Sequence, residues 1–216
     1  MQLEIDRIAE HLIKLGRELR LPIEAYRFIL PEYPLPAHGP SRNDCASAGS
    51  YITGRRTNAK GLHGILYTAL HPKVAAVEIM DPPTGLPPNK TATLALEEAK
   101  RGRYQLFKIT VRLKRVLDLT RLPTEELRPF VHPYSAQHAS CRLLPKMTLA
   151  QRVGWKALLK GYDGIVRPSA AFWRRWGEGA ARAAPVLDII CPNTKLPLSW
   201  ELIKPTNETY EKSPPA

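Results

Sequence analysis

One run of residues constrains the possible fold and binding site of this chain more than any other. It extends from Gly54 to Glu78 and reads G-R-R-T-N-A-K-G-L-H-G-I-L-Y-T-A-L-H-P-K-V-A-A-V-E. Its basic segment is bounded by glycines and leads into an apolar stretch, Ile65 to Leu70, that predicts a strand. Pro72 suits the first turn of a helix. That helix would carry the carboxylate of Glu78 among Val74, Ala75, Ala76, Val77 and Ile79, so the run predicts an anion-binding loop held close to one carboxylate.

Such a pairing suits one class of substrate. Arginine side chains hold phosphates through forked hydrogen bonds, and a carboxylate stabilises the positive charge that develops as a bond breaks. A dinucleotide whose sugar carries a cationic base combines both features. Taken alone, however, Glu78 is more simply explained as the solvent-facing residue of a buried helix.

The composition fits a folded protein with an excess of positive charge. The chain has 216 residues, 44% of them hydrophobic, enough to bury a core in one domain or one domain with an appendage. Its net charge of +12 favours anionic partners without selecting among them. Three scattered cysteines predict neither a disulfide framework nor a metal site. No signal-peptide pattern or membrane-spanning run is present, so we expect a cytoplasmic protein without membrane association.

The spacing of apolar residues predicts a mixture of helices and strands. Strands are predicted at 25–30, 65–70, 104–113, 116–119, 164–166, 186–190 and 200–203, and helices at 3–20, 72–81, 93–100, from 124 and at 148–160. These elements do not alternate as regular βαβ units, which favours an α+β fold. We therefore divide the chain into an N-terminal helix packed on the core (1–22), a main domain (23–205) and a flexible tail (206–216).

Three blocks of sequence, taken together, resemble the RES-domain family, which is named for an Arg, a Glu and a Ser. They are Y-R-F at 26–28, the run at 54–78 and G-Y-D-G-I-V-R-P-S-A at 161–170, with R-V-L-D-L-T at 115–120 between them. They span most of the chain in the family's order, which is more specific than any single motif. The main domain, 23–205, would then be the RES domain.

The basic loop departs from the family's usual pattern, G-G-R-W-N-P-x-G. Arg55 stands where the family has a Gly, Thr57 where it has a Trp and Ala59 where it has a Pro. The residues of the family's name are untouched by these changes. The shape of the loop and the rate of turnover are therefore left open.

Many RES-domain proteins are toxins of toxin–antitoxin pairs that degrade NAD, and the resemblance implies the same activity here. The implied fold is an α+β, ADP-ribosyltransferase-like core of two small packed β-sheets with surrounding helices, with NAD in the cleft between the sheets. The implied catalytic residues are Glu78, Arg27 and Ser169. Glu78 would stabilise an oxocarbenium-like ribose, and because nicotinamide leaves as a neutral molecule no second acid is needed.

The resemblance also implies a set of residues that bind NAD. The arginines would hold the diphosphate, the tyrosines would stack on the nicotinamide ring, and the loop residues would shape a phosphate site. Besides Arg27, the predicted binding residues are Tyr26, Arg56, Asn58, Lys60 and Tyr67. Ser169 would present its hydroxyl to nicotinamide or ribose. Each residue also has a plainer explanation: solvated charge for the arginines, core packing for the tyrosines and helix capping for Ser169.

NAD is expected as the substrate, and no cofactor is expected. His63 and His71 have no third ligand at metal spacing, so no metal is expected either. The expected partner is a cognate antitoxin, a DNA-binding protein of the Xre type that occludes the cleft, and an acidic antitoxin surface would complement the charge of +12.

Two further functions stay open at this point. Water, phosphate and a protein side chain compete for the same sugar cation, so hydrolysis, phosphorolysis and ADP-ribosylation of a protein target are not separated by sequence. A different class is a basic nucleic-acid-binding module that uses lysines and arginines between 100 and 115. Few aromatic residues interleave with them and no recognition motif is present, so direct nucleic-acid binding is not expected. The Arg/Trp-rich stretch at 172–184 is a candidate for partner binding.

Overall fold

Helices and strands follow each other irregularly along the chain. The computed structural model describes residues 2–19, 22–29, 57, 64–79, 87–98, 101, 104–131, 147–191 and 198–203. The helices are α1 (Gln2–Leu15), α2 (Pro72–Ile79), α3 (Pro88–Glu98), α4 (Thr124–Val131), α5 (Leu149–Leu159) and α6 (Ala170–Ala183). The strands are β1 (Arg17–Leu19), β2 (Pro22–Ile29), β3 (Gly64–Ala69), β4 (Gln105–Arg112), β5 (Val116–Asp118), β6 (Gly164–Pro168), β7 (Pro185–Cys191) and β8 (Leu198–Ile203). The tail predicted at 206–216 lies outside the described residues.

The strands of the described residues form one mixed sheet in the order β1-β5-β6-β7-β3-β2-β4-β8, and the α+β class is confirmed. Strands β5 and β6 are parallel, and the other neighbours are antiparallel. The sheet has two parts, because β2 and β3 share a single paired position, Tyr26 opposite Ala69. The two small sheets that the resemblance implies are therefore connected through this narrow junction, and strand residues of both parts share one buried cluster, which includes Ala25 and Ile109 of one part and Leu66 and Val166 of the other.

The described helices and strands build a core on both faces of this sheet. Ile65 of β3 and Ile190 of β7 pack in a cluster with residues of α1, α4 and α5. Their neighbours Leu66 and Ile189 belong to another cluster, made mostly of strand residues, as expected for side chains that alternate between faces. A third cluster lies against α2, α3 and α6, and Trp173 of α6 contacts it as well as the α1–α4–α5 cluster. The two helical clusters therefore meet at the start of α6.

The N-terminal segment forms a helix followed by a strand. Helix α1 packs on α5 through buried residues that include Leu12 and Ile13. The helix predicted over 3–20 is too long, because α1 ends before Gly16 and the next residues form β1, which pairs with β5. A Cβ atom at residue 16 would lie 2.3 Å from Cδ1 of the buried Leu117, so a larger residue at this turn would have to displace that side chain.

Helix α5 begins and ends as its sequence predicts. The hydroxyl of Thr148 accepts a hydrogen bond from the backbone N–H of Gln151 at 3.2 Å, and the Gln151 side chain accepts one from the Thr148 N–H at 3.0 Å. This reciprocal capping box satisfies two donors at the helix N-terminus. Gly161 follows the helix with a φ of 75°, a conformation that favours glycine.

The Arg/Trp-rich stretch, for which a helix followed only from the capping explanation of Ser169, forms the kinked helix α6. Its first half packs on the core, where the rings of Phe172 and Trp176 lie 4.8 Å apart. Gly177 interrupts the helix with a φ of 81°. Beyond the kink, Arg182 donates to Glu178 and to the backbone carbonyl of Leu122, which fixes the second half of α6 to the segment before α4.

No helix in the described part of the chain is both long and apolar enough to cross a membrane.

Candidate active site

Helix α2 brings one carboxylate to the surface of the core. The helix begins at Pro72, and its residues Val74 to Val77 are buried. Glu78 lies in the last turn and is exposed, as the plainer explanation of its role predicts. Its carboxylate is nevertheless held: Oε1 accepts a hydrogen bond from the Ser169 hydroxyl at 2.5 Å and one from the backbone N–H of Ala171 at 3.4 Å. The structure thus brings together two of the three predicted catalytic residues.

Ser169 is fully buried between β6 and α6. While it donates to Glu78, its oxygen accepts a hydrogen bond from the backbone N–H of Phe172 at 3.1 Å, which makes Ser169 the N-cap of α6. The capping role is therefore present, whereas presentation of the hydroxyl to nicotinamide or ribose stays a prediction. The positive end of the helix dipole also favours the nearby carboxylate of Glu78.

A buried ion pair lies in the neighbouring strands β6 and β7. The Nε and Nη2 atoms of Arg167 donate to the two carboxylate oxygens of Asp188 at 2.8 and 3.1 Å. The side chains are 6% and 0% exposed. Burial by itself would lower the pKa of Arg167, but the charge and hydrogen bonds of Asp188, together with the charge of Glu78, raise it above its ordinary value. Arg167 therefore keeps its charge, which interacts with the carboxylate of Glu78 in the candidate site.

Thr57 connects the basic loop to this ion pair. Its hydroxyl donates to Oδ2 of Asp188 at 2.8 Å, and the residue is fully buried. The phenol oxygen of Tyr67 lies 3.4 Å from the same hydroxyl. Burial, with a further contribution from the charge of Asp188, raises the pKa of Tyr67, so its hydroxyl stays protonated at physiological pH. The departure from the family pattern at residue 57 thus provides a hydrogen-bonding hydroxyl.

Arg27 lies at the narrow junction between the two parts of the sheet. Its Nη1 donates to the backbone carbonyl of Tyr67 at 2.7 Å, two residues before the position where β2 and β3 pair. The guanidinium therefore bridges the two strands. Tyr26 is partly buried against the cluster under α2, α3 and α6, and Tyr67 packs against the cluster of α1, α4 and α5. Both tyrosines contribute to core packing, as their plainer explanation predicts.

Part of the predicted site falls outside the described residues. Arg56, Asn58 and Lys60 of the basic loop belong to that part, and their predicted contacts with NAD stay predictions. The predicted residues that the structure does describe are Tyr26, Arg27, Tyr67, Glu78 and Ser169.

Reasoning from sequence missed the Arg167–Asp188 pair, although a signal was present. Asp188 is the single acid in the apolar strand V-L-D-I-I, and a buried charge requires a partner. Arg167 belongs to the block at 161–170 that carries the family resemblance, but it was not singled out. Thr57 was singled out only as a departure from the family pattern. Its contact with Asp188 spans 131 residues of sequence and could not be read from spacing.

Two of the basic residues of the alternative nucleic-acid surface form ion pairs within the chain. Lys108 lies 2.6 Å from Glu24, and Arg115 lies 3.1 Å from Glu18. These pairs reduce the positive charge that this surface offers to a phosphate backbone.

In the part of the chain that the structure describes, no three His, Cys, Asp or Glu residues lie close enough to hold a metal ion.

The described geometry defines an α+β domain in which an exposed carboxylate is held by a buried serine at a helix N-terminus, above a buried arginine–aspartate pair. The family model of the RES domain matches residues 25–201, and the chain therefore belongs to the RES-domain family. No curated protein sequence gives a significant match.

Among solved structures, the chain is similar to the toxin in the crystal structure of the M. tuberculosis MbcT–MbcA toxin–antitoxin complex. The TM-score is 0.51, with 18% sequence identity over 93% of this chain and 92% of that chain. At this identity the likeness establishes a shared fold, over nearly the full length of both chains.

Proposed function

We propose that the protein is a toxin-like enzyme that cleaves the nicotinamide–ribose bond of NAD and is neutralised by a cognate antitoxin. The hydrogen bond from Ser169 to Glu78 carries this proposal, because it holds the carboxylate of an exposed residue in one position at the N-terminus of α6. Both residues lie within the segment that matches the RES family model, 25–201. A carboxylate that is fixed before the substrate binds needs no reorganisation during the reaction.

The proposed chemistry needs a single carboxylate. The bond between the ribose carbon and the nicotinamide nitrogen breaks, and both electrons of that bond go to nicotinamide, which leaves as a neutral molecule. Glu78 stabilises the oxocarbenium-like ribose, and Arg27 and Arg56 hold the diphosphate. Attack by water gives ADP-ribose and a proton, whereas attack by phosphate gives ADP-ribose 1″-phosphate. We favour these two acceptors over a protein side chain.

Incubation with NAD, with and without phosphate, tests the reaction when nicotinamide and the ADP-ribose products are separated by chromatography. We expect nicotinamide release by the wild type and a loss of at least about 100-fold in Glu78→Gln, because one fixed charge contributes on this scale. Glu4→Gln, an exposed acid of α1, is the matched control and should keep wild-type activity. Intact NAD after prolonged incubation with the wild type would contradict the proposal. ADP-ribose found attached to protein would favour ADP-ribosylation.

The proposed partner is a small DNA-binding antitoxin of the Xre type. The fold shared with the toxin of a toxin–antitoxin complex and the net charge of +12, which an acidic antitoxin surface would complement, support this part of the proposal. Expression of the wild type in a bacterial host should arrest growth, whereas Glu78→Ala and Arg27→Ala should not. Equal toxicity of all three chains would overturn the assignment of these residues.

A further inference from the structure

We propose that Glu178 and Arg182 are positioning residues: they hold the second half of α6 against Ser169, and through Ser169 they fix the carboxylate of Glu78. This role rests on the proposed function and extends it to residues that the proposed chemistry does not use. We call Glu178, Arg182 and their partner Thr124 the Glu178 network.

Gly177 makes helix α6 fold back on its own beginning. Its φ of 81° and ψ of −170° lie in a region that is open almost exclusively to glycine. In an unbroken helix, residues 169 and 181 would be about 18 Å apart, at about 1.5 Å per residue. Instead, the backbone N–H of Ser169 lies 3.3 Å from the carbonyl oxygen of Ala181 and donates to it. The second half of α6 therefore contacts the residue that caps the first half.

The backbone of Ser169 is held by two neighbours. Its N–H donates to the carbonyl oxygen of Ala184 at 3.2 Å, which continues the β6–β7 pairing, and to that of Ala181, which belongs to the second half of α6. Ser169 and Ala181 are 0% exposed, so water cannot take the place of this contact. Because the backbone directs the hydroxyl that donates to Glu78, a shift of Ala181 would move the carboxylate.

The Glu178 network fastens the second half of α6 to the start of α4. The carboxylate of Glu178 accepts from the Thr124 hydroxyl at 2.8 Å and from Nε of Arg182 at 2.7 Å. Nη2 and Nη1 of Arg182 donate to the backbone carbonyls of Leu122 and Thr120. The hydrogen bond from Thr124, followed by that from Arg182, lowers the pKa of Glu178, so its charge is kept at neutral pH.

The location of this network separates positioning from stability. The side chains of Arg182 and Glu178 are 27% and 34% exposed, and an ion pair with this exposure contributes little to the free energy of unfolding. Its bonds to two backbone carbonyls nevertheless define where the second half of α6 lies. Loss of the network should therefore affect the order of Ser169 more than the stability of the whole chain.

Replacement of Arg182 tests the network through the proposed reaction. Arg182→Met keeps a long side chain but removes the guanidinium. We expect kcat for nicotinamide release to fall by about tenfold or more with KM within about threefold, because a displaced catalytic group mainly weakens the transition state. Arg128→Met, the same change at an exposed arginine of α4, is the matched control and should keep wild-type kcat.

Replacement of Gly177 tests the reversal of the helix without touching the network. Gly177→Ala strains the backbone, although a Cβ atom there meets nothing within 4 Å. It should lower kcat in the same way as Arg182→Met. Gly179→Ala is the matched control, because Gly179 lies in the same half of α6, has no left-handed φ and also has free space for a Cβ atom.

A double variant shows whether the network acts through Ser169. Ser169→Ala removes the hydroxyl that holds Glu78. If Arg182 acts through this hydroxyl, Arg182→Met should lower kcat by less than about twofold when it is added to Ser169→Ala. An independent, merely structural role would lower kcat by the same factor in both backgrounds.

Hydrogen exchange gives a readout that does not depend on turnover. In Arg182→Met and Gly177→Ala, the backbone amide of Ser169 should exchange about tenfold faster by NMR, because its acceptor in the second half of α6 is displaced. The amide of Val153, buried in α5, should exchange as in the wild type. Arg128→Met and Gly179→Ala should match wild type at both amides.

The outcomes distinguish this inference from the proposed function. Unchanged exchange at Ser169, equal acceleration at Val153, or unchanged kcat in an active enzyme would overturn the positioning role. If the wild type leaves NAD intact, the proposed function fails, and exchange at Ser169 alone decides whether the network positions this residue. If Arg182→Met or Ser169→Ala does not fold, the comparison of Gly177→Ala with Gly179→Ala decides: faster exchange at Ser169 in the first alone supports the role, and equal exchange overturns it.

Discussion

Two groups of ion pairs in this molecule use the same chemistry in different surroundings. The first is the Arg167–Asp188 pair, whose side chains are 6% and 0% exposed. The second joins α1 to α5, where Glu10 lies 3.0 Å from Lys156 and 2.8 Å from Lys160. We call this second group the α1–α5 ion pairs; their side chains are 20–40% exposed. Water can replace a lost partner at the surface but not in the core. Removing one charge should therefore lower the free energy of unfolding much more at the buried pair than at the α1–α5 ion pairs.

The largest loss of stability is expected when the Arg167–Asp188 pair is broken. Asp188→Ala leaves the guanidinium of Arg167 buried without its carboxylate and removes the partner of Thr57. We expect the free energy of unfolding to fall by about 3–5 kcal/mol, measured as a lower midpoint of urea unfolding with an unchanged slope. A loss below about 1 kcal/mol would mean that water or another group reaches Arg167, and the contrast with the surface would disappear.

Replacing both members of the pair sharpens the comparison. In the double variant Arg167→Met, Asp188→Leu no unpaired charge is left, so the loss should be about 1–2 kcal/mol, much of it from the hydroxyl of Thr57. Such a result would show that the pair adds little net stability and that removal of one partner is costly because the other charge is left buried. A double variant as unstable as Asp188→Ala would assign the pair a mainly stabilising role.

The difference between these two groups also explains what the sequence could predict. Helix α5 was predicted over 148–160, close to its observed bounds, because Thr148 and Gly161 mark its ends through contacts with residues close by in the sequence. The end of α1 was predicted too late, because Leu19 fits the helical spacing but lies in β1, whose pairing with β5 is a long-range contact. Local signals were therefore sufficient to predict most helices and strands. They were insufficient where pairing with a distant strand determines the secondary structure.

In the candidate site too, some residues could be predicted from sequence patterns and others only from long-range contacts. The family resemblance selected Glu78 and Ser169, which form a hydrogen bond although 91 residues separate them. Neither spacing nor composition indicated that Asp188 would bind Thr57, because the contact depends on how β7 and the basic loop meet in space. Patterns of sequence thus selected the residues of the proposed chemistry, while the buried groups beside them became visible only in the folded chain.

His71 is intermediate between the two groups, because it is partly buried. Its Nδ1 accepts a hydrogen bond from the backbone N–H of Lys73 at 3.2 Å at the start of α2. Burial lowers the pKa of His71, and the charge of Lys73 lowers it further. The unfolded chain therefore binds a proton more readily, so stability is complete above the ordinary value of 6.5 and falls as the pH drops toward the lowered pKa.

The variant His71→Asn tests this dependence, because asparagine also caps helices but does not titrate in this range. Between about pH 7.5 and 5.5 the wild type should lose up to about 1 kcal/mol relative to His71→Asn. Urea unfolding of both proteins at each pH measures the difference. Parallel stability curves would show that protonation of His71 is not coupled to folding.

The smallest effect is expected at the α1–α5 ion pairs. Hydrogen bonds from Lys160 and Lys156 lower the pKa of Glu10, so its contribution is present above the ordinary value of 4.5 and is lost as the pH falls through the lowered pKa. Because these groups are partly exposed, Glu10→Gln should lower the free energy of unfolding by about 0.2–1 kcal/mol at pH 7, and by less at high salt. A cost as large as that of Asp188→Ala, or one insensitive to salt, would mean that exposure does not separate the two groups. The distinction between the buried pair and the α1–α5 ion pairs would then have to rest on location alone.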